Sequence, residues 1–106
     1  MEEALIGQWR AKYYGAMEDA AVVFAADGTG FAEHARPMVE EREHFTWRAE
    51  GDRLRLVFHR FTYSVGDVIE DDEPMAGEWA GAWRIEGAEL VLEPALNDDD
   101  RYTRVG

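Results

Sequence analysis

The clearest pattern along the chain is alternation. In "FTWRAEGDRLRLVFHR", residues 45–60, apolar Phe45, Trp47 and Ala49 lead into Gly51-Asp52, and Leu54, Leu56 and Phe58 lead out of it, with polar residues between most of them. A period of two is that of a half-buried strand, because successive side chains point to opposite faces. Gly in the first position of a two-residue loop suits a tight hairpin turn. The turn then sets Trp47 opposite Leu56, Phe45 opposite Phe58 and Ala49 opposite Leu54. The same skeleton, Trp-Arg-x-Glu-Gly-x-x-Leu-x-Leu, returns in "WRIEGAELVLEP", residues 83–94. There a turn at Gly87-Ala88 sets Trp83 opposite Leu92 and Ile85 opposite Leu90. Two copies are too few for a solenoid or propeller; they read as two similar hairpins.

Other turns extend the rhythm. "DGTG" at 27–30 carries Asp-Gly, a strong hairpin signal. A two-residue loop at Asp27-Gly28 pairs Phe24 with Phe31, Val22 with Glu33 and Asp19 with Arg36. "PMVEE", residues 37–41, serves as a five-residue loop that pairs His34 with His44, and the Gly51 hairpin then pairs His44 with His59. Strands are expected near 7–14, 20–26, 29–36, 42–50, 53–60, 61–66, 77–86, 88–94 and 101–105, after one helical turn in "MEEALIG". The expected fold is an all-β antiparallel barrel or sandwich, formed by residues 1–106 as a single domain.

Composition narrows the function classes. The chain has no cysteine, which removes disulfides, thiolate catalysis and cysteine-based zinc sites. A net charge of −12 argues against nucleic-acid and anionic-membrane partners and permits steering toward a basic protein. No secretory leader or membrane-spanning run is evident, so the expected location is cytoplasmic. Phosphate-loop, dinucleotide and Gly-x-Ser-x-Gly motifs are missing, and no cofactor is expected.

Four stretches in order carry a family resemblance: "LIGQW" (5–9), "FAADGTGFAEH" (24–34), "FTWRAEGDRLRL" (45–56) and "RYTRV" (101–105). Together they resemble the small bacterial lipocalin-like proteins of the calycin superfamily. The resemblance implies an up-and-down antiparallel barrel of about eight strands. It also implies that Trp9 plugs one end, with Arg104 or Arg101 laid over its ring. The chain is short for a full lipocalin, which implies a small or filled cavity. "GQWRAKYYG" lacks the extended glycine pattern of heme-binding nitrobindin-like barrels, so heme is not implied.

The hairpin registers nominate site residues. Phe45, Trp47, Phe58, Trp79 and Trp83 are expected to line the interior as the wall for a small apolar or aromatic ligand. Phe31 and Ala35 share that face. Glu33 falls among them and would supply the polar contact, with Tyr63 and Tyr13 as further polar handles. On the other face His34, His44 and His59 form a row across three strands, a candidate metal site without a local ligand motif. Arg36 with Arg42, and Arg48 with Arg55, become like-charge cross-strand pairs that need acidic neighbours. The acidic runs at 67–73 and 97–100 are read as loops, which could present a negative surface to a basic partner. Ala21, Val23, Ala25 and Ala32 leave the early hairpin's outer face apolar, consistent with a monomer or a homodimer. Three functions follow: a small-ligand binding barrel, an acidic interaction module of the immunity or inhibitor type, and a barrel cyclase or isomerase using Glu33 or Tyr63.

Overall fold

The computed structural model describes residues 3–11, 19–97 and 99–105. After a 3-10 turn at Glu3–Leu5 come β1 (Gly7–Ala11), β2 (Asp19–Phe24), β3 (Thr29–Arg36), β4 (Val39–Glu50), β5 (Arg53–Val65), β6 (Val68–Glu86), β7 (Glu89–Leu96) and β8 (Asp99–Arg104). Each strand pairs with the next, and β1 pairs with β8, which closes an eight-strand antiparallel barrel. Closure pairs β1 with β8 and so removes the two terminal edges that an open meander would expose. No helix among the described residues is long and apolar enough to cross a membrane.

The interior is built from the alternating positions. Trp9, Val22, Phe24, Phe45, Leu56, Leu90 and Leu92 are at most 1% exposed. The hairpin registers expected at Gly51 and Gly87 are observed: Phe45 pairs with Phe58, Trp47 with Leu56, Ala49 with Leu54, Trp83 with Leu92 and Ile85 with Leu90. Room for the large rings comes from glycine. A Cβ at Gly30 would lie 2.2 Å from the Val23 carbonyl oxygen and 2.6 Å from the Phe45 ring. One at Gly81 would meet the Glu93 carbonyl oxygen at 2.3 Å and the Trp79 ring at 2.9 Å.

The repeated Trp-Arg skeleton does one mechanical job twice. The Trp47 backbone N–H donates to Gly28 O (2.9 Å), and its indole Nε1–H donates to Ala25 O and Thr29 O (both 3.1 Å). The Trp83 backbone N–H donates to Asp52 O (2.9 Å), and its indole donates to Gly51 O (2.9 Å). Each tryptophan therefore clasps the turn of the preceding hairpin and satisfies carbonyls that a turn leaves open. At the same end Trp9 donates to Leu5 O (2.9 Å), and the Arg104 guanidinium lies 4.2 Å from the Trp9 ring centroid. Arg104 also donates to Ile6 O (2.8 Å) and Ala4 O (2.5 Å), so one side chain stacks on the plug and ties down the N-terminal turn.

Several expectations are corrected. Residues 25–28 form the first turn, not Asp27-Gly28 alone: Ala25 N–H donates to Thr29 O (2.8 Å), and Asp27 Oδ1 accepts from the Thr29 N–H (3.0 Å) and hydroxyl (2.6 Å). The Thr29 hydroxyl holds the Asp27 carboxyl below its usual pKa. Phe24 consequently pairs with Gly30, Val22 with Ala32 and Asp19 with Ala35, a slip of one residue from the expected register. A slip of one exchanges the faces of a strand. Phe31, Glu33 and Ala35 lie outside, while Ala32 lies inside.

The 37–41 loop is in fact a two-residue turn, Pro37-Met38, with Met38 at φ 67° and β4 starting at Val39. His34 therefore pairs with Glu41, and Arg36 with Val39 rather than Arg42. The expected strands at 53–60 and 61–66 are one strand, interrupted by a bulge at His59 that sets His44 opposite Arg60. Of the acidic run 67–73, Asp67 is in the turn and residues 68–73 are the start of β6 rather than a loop. Of 97–100, Asn97 is a turn residue, Asp99 and Asp100 begin β8, and residue 98 lies outside the described residues. Residues 12–14 of the first expected strand lie outside the described residues, as does Tyr13.

Candidate functional site

Phe45, Trp47 and Phe58 of the expected wall pack together with Phe24 inside the barrel. Phe24 lies 5.7 Å from Phe45 and 5.3 Å from Trp47, and Phe45 lies 5.7 Å from Phe58, all in tilted or edge-to-face contact. Trp79 and Trp83 are partly buried against this core. The indole donors of Trp47 and Trp83 are committed to neighbouring turns, whereas Trp79 Nε1 is buried without an acceptor.

Glu33 does not join the cluster. Its carboxylate takes the Arg42 Nε–H at 2.9 Å on the outer face, where Arg42 covers the Phe31 ring at 4.5 Å and reaches Glu40 at 3.4 Å. An interior polar contact or acid/base role for Glu33 falls with that register. The histidine row is also broken. His34 is on the inner side beside Glu41, His44 is on the outer side, and His59 sits in the bulge. No group of three potential metal ligands occurs among the described residues.

His44 instead belongs to an outer cluster. Its Nε2 lies 3.0 Å from the Thr62 hydroxyl, and its ring lies 5.9 Å from Phe31. Burial first, then the Arg60 and Arg42 charges, depress its pKa below 6.5, with Asp72 opposing them. An open groove of about 270 Å³ runs past Val23, Phe31, His44 and His59. The outer arginines find carboxylates: Arg55 with Glu78 (2.8 Å), Arg60 with Asp72 through two bonds (2.7 and 2.6 Å), and Arg48 with Glu50 (3.6 Å). The expected Arg48–Arg55 pair is real and is compensated in this way.

The inner face beyond the core holds the arrangement that sequence reading missed. Past the bulge, β4 (still paired with β3), β5 and the start of β6 continue the barrel wall where β7 no longer pairs, a region called the arm below. Directly paired residues share a face, so the inner side of the arm carries two rows: Glu41–Tyr63–Asp71, and Glu43–Phe61–Glu73. Two half-buried aromatics on the central strand are thus flanked on both sides by carboxylates. None of the four carboxylates has an ion-pair partner among the described residues; Glu43 accepts only the Asn97 amide, at 3.1 Å. The outer face of the same three strands has its carboxylates neutralised by arginine. Of the inner set, Tyr63 alone was an expected site residue. The signal was three i, i+2 pairs, Glu-x-Glu, Phe-x-Tyr and Asp-x-Glu, but reading 67–73 as a loop hid the third.

Opposite-sign charge within a few ångströms of an aromatic face is the chemistry that holds an ammonium or guanidinium group. Two rows at strand spacing would hold two such groups on alternate residues of an extended chain. Compared with known protein families, curated proteins and solved structures, the chain shows no significant match in any of the three, so the reading of this arm rests on its own geometry.

Proposed function

We propose that this small β-barrel is a docking module for a cationic partner, with the inner face of the arm as its contact surface. The observation that carries this reading is the asymmetry of charge compensation: carboxylates on the outer face of β4–β6 are paired with arginine, while Glu41, Glu43, Asp71 and Glu73 are left facing Phe61 and Tyr63. The net charge of −12 supports it, since it steers a basic protein toward the molecule. A cytoplasmic setting and a basic protein partner fit this reading.

The test is a titration of the protein with capped hexalysine, followed by backbone amide shifts at low and moderate salt. Shifts should concentrate at 41, 43, 61, 63, 71 and 73 and weaken as salt rises. The double substitution Glu43→Gln, Glu73→Gln should weaken binding about tenfold. Shifts spread evenly over the outer carboxylates, or no response to the double substitution, would overturn the reading.

A second reading places a small apolar or aromatic ligand in the barrel. A buried aromatic cluster is compatible with ligand binding, and the unsatisfied Trp79 donor is the specific observation in its favour. A panel of small aromatic ligands carrying an acceptor should then change tryptophan emission, and the change should vanish in Trp79→Phe. Emission unaltered across the panel would remove this reading.

A further inference from the structure

The first half of β6 is a strand with one partner. From Val68 to Ala80 it pairs with β5 on one side, and pairing with β7 on the other side starts only at Ala82. No described strand lies along the free side of residues 68–80. A strand left in this way presents a row of unpaired N–H and C=O groups, which is a template for another strand.

The side chains around that edge restrict what can add to it. Glu70, Asp71, Asp72 and Glu73 run consecutively, and all are exposed. A second copy pairing antiparallel along this run would set carboxylate against carboxylate, which is destabilising. The edge is therefore guarded against its own kind, while a basic strand meets complementary charge at every step. Asp72 is already held by Arg60, but Asp71 and Glu73 face the inner side without a cation among the described residues. At the tip of the arm Val68 (59% exposed) and Ile69 (58%), on the edge strand itself, add apolar surface.

We infer that the partner binds as an extended basic segment that adds a strand to the free edge of β6. Its backbone would complete the ladder along 68–80, and its alternate lysine or arginine side chains would reach Asp71 and Glu73, then the aromatic rows behind them. This inference rests on the docking reading above and specifies its mode. Backbone bonds would supply affinity and alternate side chains specificity, as in other strand-addition complexes.

The experiment uses the wild-type chain and three capped peptides: (Lys-Thr)4, the same peptide N-methylated at every lysine, and the same peptide N-methylated at every threonine. Alternate amides of a strand face its neighbour, so one methylated set must block the ladder while charge and side chains stay the same. Strand addition predicts that one methylated peptide binds at least about tenfold more weakly than the parent. It also predicts that the parent slows amide exchange within 68–80. If both methylated peptides bind as tightly as the parent and still shift the inner-face amides, strand addition is overturned and the docking reading survives. If the parent peptide does not bind at all, the docking reading fails first and takes strand addition with it. A concentration-dependent dimer that protects 68–80 without peptide would overturn the inference in favour of self-pairing.

Discussion

The two ends of the molecule solve opposite problems. At the plugged end the Trp9, Trp47 and Trp83 indoles close on carbonyls of neighbouring turns and Arg104 closes on Trp9 and two carbonyls, with the Trp79 indole the exception. On the arm the two faces of one sheet are treated differently. The outer face is neutralised arginine by carboxylate, and among the described residues the inner-face carboxylates and the β6 edge are left open. Both regions use the same alternating strands. What separates them is whether a neighbouring element completes the backbone ladder and the charge balance. A fold can thus be rigid where its bonds close on themselves and receptive where they do not.

The comparison makes graded predictions. The largest effect should come from the barrel interior. Phe45→Ala empties a position with no exposed surface and should cost about 3–5 kcal/mol in urea unfolding, whereas Phe61→Ala on the arm should cost under about 1 kcal/mol. Equal losses would erase the distinction between core and arm. Next comes Gly30→Ala, whose new methyl meets a backbone carbonyl that cannot swing away; a loss of about 1–3 kcal/mol is expected from the same measurement. Arg104→Lys keeps the charge but loses the planar stacking and the forked donation to Ile6 and Ala4, so thermal melting should show a loss of about 1–2 kcal/mol.

Smaller still, Tyr63→Ala should leave the melting temperature almost unchanged while weakening hexalysine binding several-fold, the reverse of the pattern for Phe45. The smallest effect is a pH dependence from His44. Its pKa is depressed in the fold, so the stability it contributes is complete above 6.5. As pH falls from 6.5 toward the folded value the unfolded chain takes up the proton first, and that stability is lost. A stability profile between pH 7 and 5 should therefore slope downward toward acid, and His44→Gln should flatten the slope.

Some of this was legible in the residues. The Gly51 and Gly87 hairpins could be paired residue by residue because glycine, turn length and alternation agreed. The resemblance implied an arginine, Arg104 or Arg101, over Trp9, and only the structure showed that it is Arg104. The arm could not be read in the same way. Its β6 portion has no buried side chain between Val68 and Pro74, so hydrophobic periodicity carries no strand signal there. The slip at β2–β3 turned on an Asp27–Thr29 bond that enlarges a turn whose Asp-Gly suggested a tighter one.

By itself, then, the sequence determined an all-β chain of alternating strands, the aromatic composition of the core and the two tryptophan hairpins, because period-two burial and glycine turns are local properties. Only the tertiary structure decided which face Glu33 and His34 occupy, that the acids of 70–73 belong to a strand, and that no described strand pairs with the other side of it. Those facts depend on the parity of turn lengths and on where barrel closure runs out of neighbours, and both are settled by residues far apart along the chain.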